Sequence, residues 1–198
     1  MKGKLFVMSG PSGTGKSTVV AAVMKQYSNL QFSVSATTRP RRPLEEDGKD
    51  YYFVSKERFL EMIQNHELLE HAQYVENYYG TPAAPLLEAM DRGTDCLLDI
   101  EPQGALQVRA NRPDAVLIFL APPSLPVLES RLRSRGDTAP ELVEKRLKQA
   151  RWELEQAAKY DYIVINDSVE KAAAELLAIM TAEKCRVNDR IQLLKEEK

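Results

Sequence analysis

Eight residues near the start of the chain constrain its architecture more than any other feature. Gly10-Pro11-Ser12-Gly13-Thr14-Gly15-Lys16-Ser17, followed by Thr18, has the spacing G-x-x-x-x-G-K-[ST]. Glycines at these places let a backbone curl round an anion with its N–H groups turned inward. The loop then opens a helix, whose first turn favours negative charge. Lys16 would reach the β- and γ-phosphates of a nucleoside triphosphate, and the Ser17 hydroxyl would ligate Mg²⁺. The competing reading is a chance glycine-rich turn. The flanks argue against it: Leu5–Ser9 is a short apolar run that reads as a buried strand, and Lys16–Tyr27 reads as a helix with Val19, Val20, Val23 and Met24 on one side.

The strand–loop–helix start predicts an α/β fold, and the rest of the chain agrees. Apolar strands are expected at Asp95–Ile100, Val116–Leu120 and Tyr162–Ile165, with helices at Gln103–Ala110, Ser124–Arg133 and Ala139–Ala158 and a long helix or pair of helices at Val169–Leu194. Such alternation points to a parallel sheet covered by helices on both faces, with all three strands buried. Residues 33–81 break the rhythm. Gln31–Ser35, Tyr51–Val54, Leu68–Tyr74 and Tyr78–Tyr79 read as strands. Lys56–Asn65 reads as a helix with Phe59, Leu60 and Ile63 inward, and Pro85–Arg92 as one ended by Gly93. Thr37–Lys49, dense in Pro, Arg and Glu, reads as loop. This region is expected to be an inserted mixed-β subdomain.

Charged residues in two further places imply a second phosphorylated ligand. Arg39, Arg41 and Arg42 stand in the loop; Arg131, Arg133, Arg135, Lys145, Arg146, Lys148 and Arg151 surround the Gly136 turn. Arginines delivered by a closing segment neutralise the charge of a migrating phosphoryl group and exclude water. For Arg133, Lys145 and Lys148 the simpler reading is solvated charge paired with Glu129, Glu141 and Glu144. Asp99, at the carboxyl end of a predicted parallel strand, faces the ligand crevice or else caps the next helix. An NTPase needs one phosphorylated ligand; a loop plus two arginine groups points to a nucleotide or small-molecule kinase.

The bulk numbers exclude other classes. A chain of 198 residues holds one domain with a core that needs no staples. Net charge of −2 gives no electrostatic case for nucleic acid or an anionic membrane. Cys96 and Cys185 are far apart and make no metal-ligand pattern. No secretion signal and no membrane-spanning apolar run is visible, so a reduced, cytoplasmic setting is expected.

At this point the sequence resembles the guanylate kinase family over nearly its whole length. The matching segments are GPSGTGKST at Gly10–Thr18, FSVSATTR at Phe32–Arg39, GKDYYFV at Gly48–Val54, LEHAQ at Leu69–Gln73, NYYGT at Asn77–Thr81, LDIEPQG at Leu98–Gly104, APPS at Ala121–Ser124, Arg135-Gly136 and VIND at Val164–Asp167. The resemblance implies that Ser35, Glu70, Thr81 and Asp99 contact guanine, and that Arg39, Arg42, Tyr51 and Tyr79 hold the GMP phosphate. It implies that Arg135 and Arg146, with Arg131, reach the ATP phosphates, and that Asn166 lies near the adenine. Lys16, Arg39, Arg135 and Arg146 would carry the catalysis, with Mg²⁺ on Ser17.

Chemistry supports the base assignment. Guanine presents N1–H and its amino group as adjacent donors, and one carboxylate such as Glu70 can accept both. Adenine has an acceptor at N1, and a buried mismatch of that kind discriminates strongly. His71 tempts a general-base reading, but an anionic acceptor phosphate needs none. Trp152 is expected to pack.

Arg41, Leu44 and Pro102 depart from the family's usual proline, glycine and non-proline residues, and none removes a ligand. The expected division is a core of residues 1–32, 87–122 and 150–198, a GMP-binding subdomain of 33–86 and a helical lid of 123–149. The reaction implied is ATP + GMP (or dGMP) to ADP + GDP (or dGDP). The rival readings are a non-catalytic guanylate-kinase-like module that binds phosphopeptides, and a kinase of another phosphorylated small molecule.

Overall fold

The computed structural model describes residues 2–74, 76–133 and 140–194. The chain divides into two compact units, one of Met8–Leu30 and Val116–Lys198, the other of Lys2–Val7 and Gln31–Ala115. Its elements run β1 (Leu5–Ser9), α1 (Lys16–Gln26), β2 (Leu30–Phe32), β3 (Ala36–Thr37), β4 (Tyr52–Phe53), α2 (Lys56–Gln64), β5 (Leu68–Tyr74), β6 (Asn77–Pro82), α3 (Ala84–Asp91), β7 (Asp95–Asp99), α4 (Pro102–Asn111), β8 (Val116–Ala121), α5 (Leu125–Arg133), α6 (Pro140–Glu155), β9 (Tyr162–Ile165), α7 (Val169–Lys184) and α8 (Val187–Arg190). The larger sheet has the order β2-β7-β1-β8-β9, with β8 and β9 parallel from Ile118↔Tyr162 to Ala121↔Ile165. The smaller sheet has the order β4-β3-β6-β5 and is mixed: β3 runs parallel to β4 and antiparallel to β6.

Every residue of β1 and β8 is buried, as expected of interior strands with apolar side chains on both faces. Each fully buried Leu, Phe or Met there stabilises the fold by roughly 1.5–3 kcal/mol. β9 differs from the expectation. It is an edge strand; Val164 is buried, but Ile163 and Ile165 are 54% and 44% exposed. A run of four apolar residues has no period that separates an interior strand from an edge one. α7 starts at Ser168, whose side chain accepts from the Lys171 N–H, and packs against α1 and β9.

Gln31–Ser35 also resolves differently. The chain stays with the larger sheet through Ser33, whose N–H donates to Leu97, then enters the smaller sheet at Ala36. The strand expected over Gln31–Ser35 therefore ends early, and the chain changes sheets before Ala36, because the break is set by tertiary pairing and not by side-chain pattern. In the small sheet Phe59 and Met62 of α2 are buried with Ala36, while Leu60 is 39% exposed. Ile63 packs against the same cluster, so the expected face holds at Phe59 and Ile63, and Met62 takes the inward place expected of Leu60. Trp152 stands 43% exposed on α6, so little more than half of it is covered.

Candidate active site

The glycine loop is built by its neighbours. Gly10, Gly13 and Gly15 have φ of 153°, 90° and 87°. At Gly10 the reason for glycine is absolute space: a Cβ would lie 2.1 Å from the Leu120 carbonyl oxygen at the end of β8. At Gly13 it would meet Leu132 and Leu128 of α5 at 2.9 and 3.2 Å. Thr14 is buried, and its hydroxyl donates to the Pro11 carbonyl at 2.8 Å. The Asn166 amide, just past β9, donates to the Thr14 carbonyl at 2.6 Å.

Lys16 Nζ folds back onto this loop, donating to the Gly10 and Pro11 carbonyls at 2.7 and 3.4 Å. Gly15 precedes α1 as its N-cap and supplies no side-chain cap, and no acidic residue stands in the first turn. Its opening N–H groups and dipole thus stay available to an anion. Ser17 and Thr18 are exposed beside it. Arg131, on α5, donates from Nη2 to the Asn166 carbonyl at 3.0 Å. Arg146 is half-buried on α6. Arg135 lies outside the described residues. Arg133 pairs with Glu129 at 2.7 Å, as the solvated-charge reading has it.

The second group of residues lies in the other unit. Glu70 and Thr81 are opposite each other on β5 and β6, both buried, and the Thr81 hydroxyl donates to Glu70 Oε1 at 2.7 Å. Gly104 of α4 leaves room for the other oxygen: a Cβ there would stand 2.7 Å from Glu70 Oε2. Burial raises the Glu70 carboxyl above its ordinary range, opposed by the Thr81 hydroxyl and reinforced by Glu101. Ser35 is half-buried and accepts through its backbone carbonyl from Tyr52. Asp99 closes β7, half-buried.

Arg39, Tyr51 and Tyr79 form a cluster. The Arg39 guanidinium lies 5.5 Å from the Tyr51 ring centroid, and the Tyr51 and Tyr79 rings meet edge to face at 6.2 Å. Burial and then the charge of Tyr79 push the Tyr51 hydroxyl up, which keeps it a donor. Sequence reasoning missed the residue that organises this cluster. Glu45 accepts from both terminal nitrogens of Arg39, at 3.0 and 2.7 Å, and from the Arg42 backbone N–H at 2.8 Å. In a loop with Glu45, Glu46 and Asp47 in a row, no periodicity singles it out. The Arg42 side chain stays exposed, as does Arg41. His71 is half-buried and His66, just past α2, is exposed with φ of 55°.

A glycine loop between a parallel strand and a helix, within a helix-flanked sheet, defines a P-loop protein that grips phosphates with its backbone. The solved structure of shikimate kinase from Bacteroides thetaiotaomicron shares this fold, with a TM-score of 0.50 at 14% identity over 90% of this chain and 98% of that one. More specific similarities narrow the class. The sequence profile of guanylate kinase matches residues 2–183. A guanylate kinase of Thermus thermophilus is 53% identical over 186 residues, 94% of this chain and 84% of that protein. The crystal structure of guanylate kinase from Anaplasma phagocytophilum superposes with a TM-score of 0.74 at 36% identity, covering 93% of this chain and 88% of that one. The chain belongs to the guanylate kinase family.

Among the described residues no helix is long and apolar enough to cross a membrane.

Proposed function

We propose that this protein transfers the γ-phosphoryl group of ATP to GMP, giving ADP and GDP, and that it accepts dGMP as well. The observation that carries the choice of acceptor is the buried Glu70 carboxylate held by Thr81, with Gly104 leaving its second oxygen clear. Such a carboxylate accepts from the N1–H and amino group of guanine together, and binding the base draws Glu70 into its ionised form. Ser35 and Asp99 complete the base contacts. Arg39 and Arg42, with the Tyr51 and Tyr79 hydroxyls, hold the acceptor phosphate, the guanidinium fork of Arg39 being set by Glu45.

On the donor side, residues 10–18 wrap the ATP phosphates with backbone N–H groups, and Lys16 carries its charge to the β- and γ-phosphates. Asn166 lies on the adenine side. An oxygen of the GMP phosphate forms the new bond to the γ-phosphorus as its bond to the β,γ-bridging oxygen breaks. Lys16, Arg39, Arg135 and Arg146, aided by Arg131, stabilise the charge spread over the moving group. Mg²⁺ characteristically takes phosphate oxygens, waters and one or two protein oxygens. The residues present fit that need: Ser17 offers one exposed hydroxyl beside the loop, and no group of three or more His, Cys, Asp or Glu among the described residues makes a closed cage. When bound, the ion neutralises charge on the donor phosphates.

In this reading residues 33–86 bind GMP, residues 123–149 act as the lid, and closure of both precedes chemistry and shields it from water. The substrates suit a cytoplasmic enzyme. An intact loop with Lys16 and Ser17 disfavours a non-catalytic phosphopeptide module. The test is coupled ADP release with ATP and Mg²⁺, offering GMP, dGMP, AMP, CMP and UMP in parallel. GMP and dGMP are expected to turn over and the others far less. No turnover of GMP by the folded protein overturns the activity; equal use of AMP overturns the role of Glu70.

A further inference from the structure

Glu70 sits on a weak part of its sheet, and side chains from α4 compensate for this. β5 is the outermost strand of the order β4-β3-β6-β5, so its outer backbone groups face no strand. Its pairing with β6 also slips: Leu68 is opposite Pro82 and Glu70 opposite Thr81, so Leu69 is the extra residue of a β-bulge immediately before Glu70. Bulges bend a strand and re-aim the next side chain, and an edge strand has only one neighbour to resist slipping.

Two amides of α4 hold the backbone on either side. Gln107 accepts from the His71 N–H at 3.1 Å and donates to the His71 carbonyl at 2.9 Å. One side-chain amide thus makes the pair of bonds that an opposing residue makes in an antiparallel ladder. Asn111 donates to the carbonyl of Leu69, the bulged residue, at 3.0 Å. Gly104, the position that lets the Glu70 carboxylate pass, is on the same helix. Spacings of three and four put Gly104, Gln107 and Asn111 on one helical face. Glu70 therefore stands between two peptide units tied to α4 and beside the one residue of α4 that must lack a side chain.

We propose that Gln107 and Asn111 are positioning residues for guanine selection: they hold the bulged β5 so that both Glu70 oxygens meet the two adjacent donors of the base. The proposal rests on the reading of Glu70 as the guanine contact. Two parallel hydrogen bonds accepted by one carboxylate tolerate errors of only about 0.5 Å and 10–20°. Neither amide touches the base; each acts through Glu70.

The test compares wild type, Gln107→Met, Asn111→Ala, Glu70→Gln and the Glu70→Gln/Gln107→Met double variant, all as the full chain. KM and kcat are measured for GMP and for IMP, which keeps N1–H but lacks the amino group, with KM for ATP and the melting temperature alongside. Gln107→Met is expected to raise KM for GMP roughly tenfold, the scale of one mispositioned hydrogen bond. It should lower the GMP-to-IMP ratio of kcat/KM and leave KM for ATP unchanged. Asn111→Ala, the milder change, should move the same ratio the same way. In the double variant the Gln107 effect should largely vanish, because both changes act on one carboxylate. A lowered melting temperature with wild-type KM and wild-type GMP-to-IMP ratio in both amide variants overturns the proposal, as does full additivity with Glu70→Gln. If Glu70→Gln itself leaves GMP use unchanged, the reading of Glu70 falls instead; a strong Glu70→Gln effect with silent amide variants sinks the positioning role alone.

Discussion

The side-chain amide of Asn166 donates to the carbonyl of Thr14 at 2.6 Å, joining the end of β9 to the glycine loop across 152 residues of chain. The backbone of the same residue donates to Ala121 and accepts from Arg131. The end of β8, α5 and the loop thus meet at one asparagine. Removing its side chain leaves the buried Thr14 carbonyl without this partner, a cost of about 1–3 kcal/mol. Asn166→Leu is therefore expected to weaken ATP binding by about tenfold or more. GMP affinity should be unchanged when the two are compared by calorimetry.

Gly10 and Gly48 both have positive φ, at 153° and 76°, but they should respond differently to alanine. At Gly10 the new Cβ would lie 2.1 Å from a backbone oxygen that cannot swing away. At Gly48 the nearest neighbour is a Tyr52 ring carbon at 3.7 Å, so only backbone strain is added. Urea unfolding should show a loss of about 1–2 kcal/mol for Gly48→Ala and on the order of 3 kcal/mol or more for Gly10→Ala.

Lys16 serves the donor phosphates alone in the proposed mechanism. Lys16→Ala is expected to abolish turnover while GMP affinity, measured by calorimetry, stays near wild type. Loss of GMP binding would contradict separate donor and acceptor sites.

Burial raises the Glu70 carboxyl above its unfolded value, so between those two values the folded state binds more protons than the unfolded one. Stability from this group is then present at low pH and declines as pH climbs from the ordinary carboxylate range through the raised value. Glu70→Gln should flatten that decline and raise the melting temperature at neutral pH. It should cost GMP affinity at least tenfold, since charge-assisted hydrogen bonds contribute about 1.5–3 kcal/mol each. In the wild type, GMP affinity should fall as pH drops through the raised carboxyl value, because the base selects the ionised form. Melting curves and GMP titrations across pH check all three.

The Arg39 hydrogen bond, then the Arg42 N–H, hold Glu45 below the ordinary carboxylate range. Its contribution to ordering the arginine loop is complete above that range and is lost as pH falls through the depressed value. Arg39→Lys keeps the charge and loses the fork, so KM for GMP should rise with KM for ATP unchanged. Glu45→Gln should act in the same direction, more weakly.

Local patterns made much of this molecule legible. β1 spans the same residues, Leu5–Ser9, that the apolar run predicts, because a short apolar run before a glycine loop has few alternatives. α3 ends before Gly93, whose φ of 87° shows why the helix stops there. Glu70 and Thr81 lie eleven residues apart in two separate motifs, and the β5–β6 pairing brings them into a hydrogen bond. The misses are equally specific. Leu60 and Met62 both suit an apolar face, and which one turns inward depends on where α2 rests. Ile163 and Ile165 look like interior residues until the strand order puts β9 at an edge.

The phosphate loop and the chemistry of the proposed base contact follow from residue identity at short range: glycines where the backbone must curl, a lysine and a serine at fixed offsets, a carboxylate suited to two adjacent donors. These survive in a linear string because each is a property of a few neighbouring residues. Tertiary structure alone decided the supports. Glu45 under Arg39, Asn166 under Thr14, Gln107 on His71 and Asn111 on the Leu69 bulge are polar residues of common type, with no spacing that marks them. Their roles arise only when folding leaves a particular guanidinium or backbone group in need of a partner and brings that side chain within about 3 Å of it.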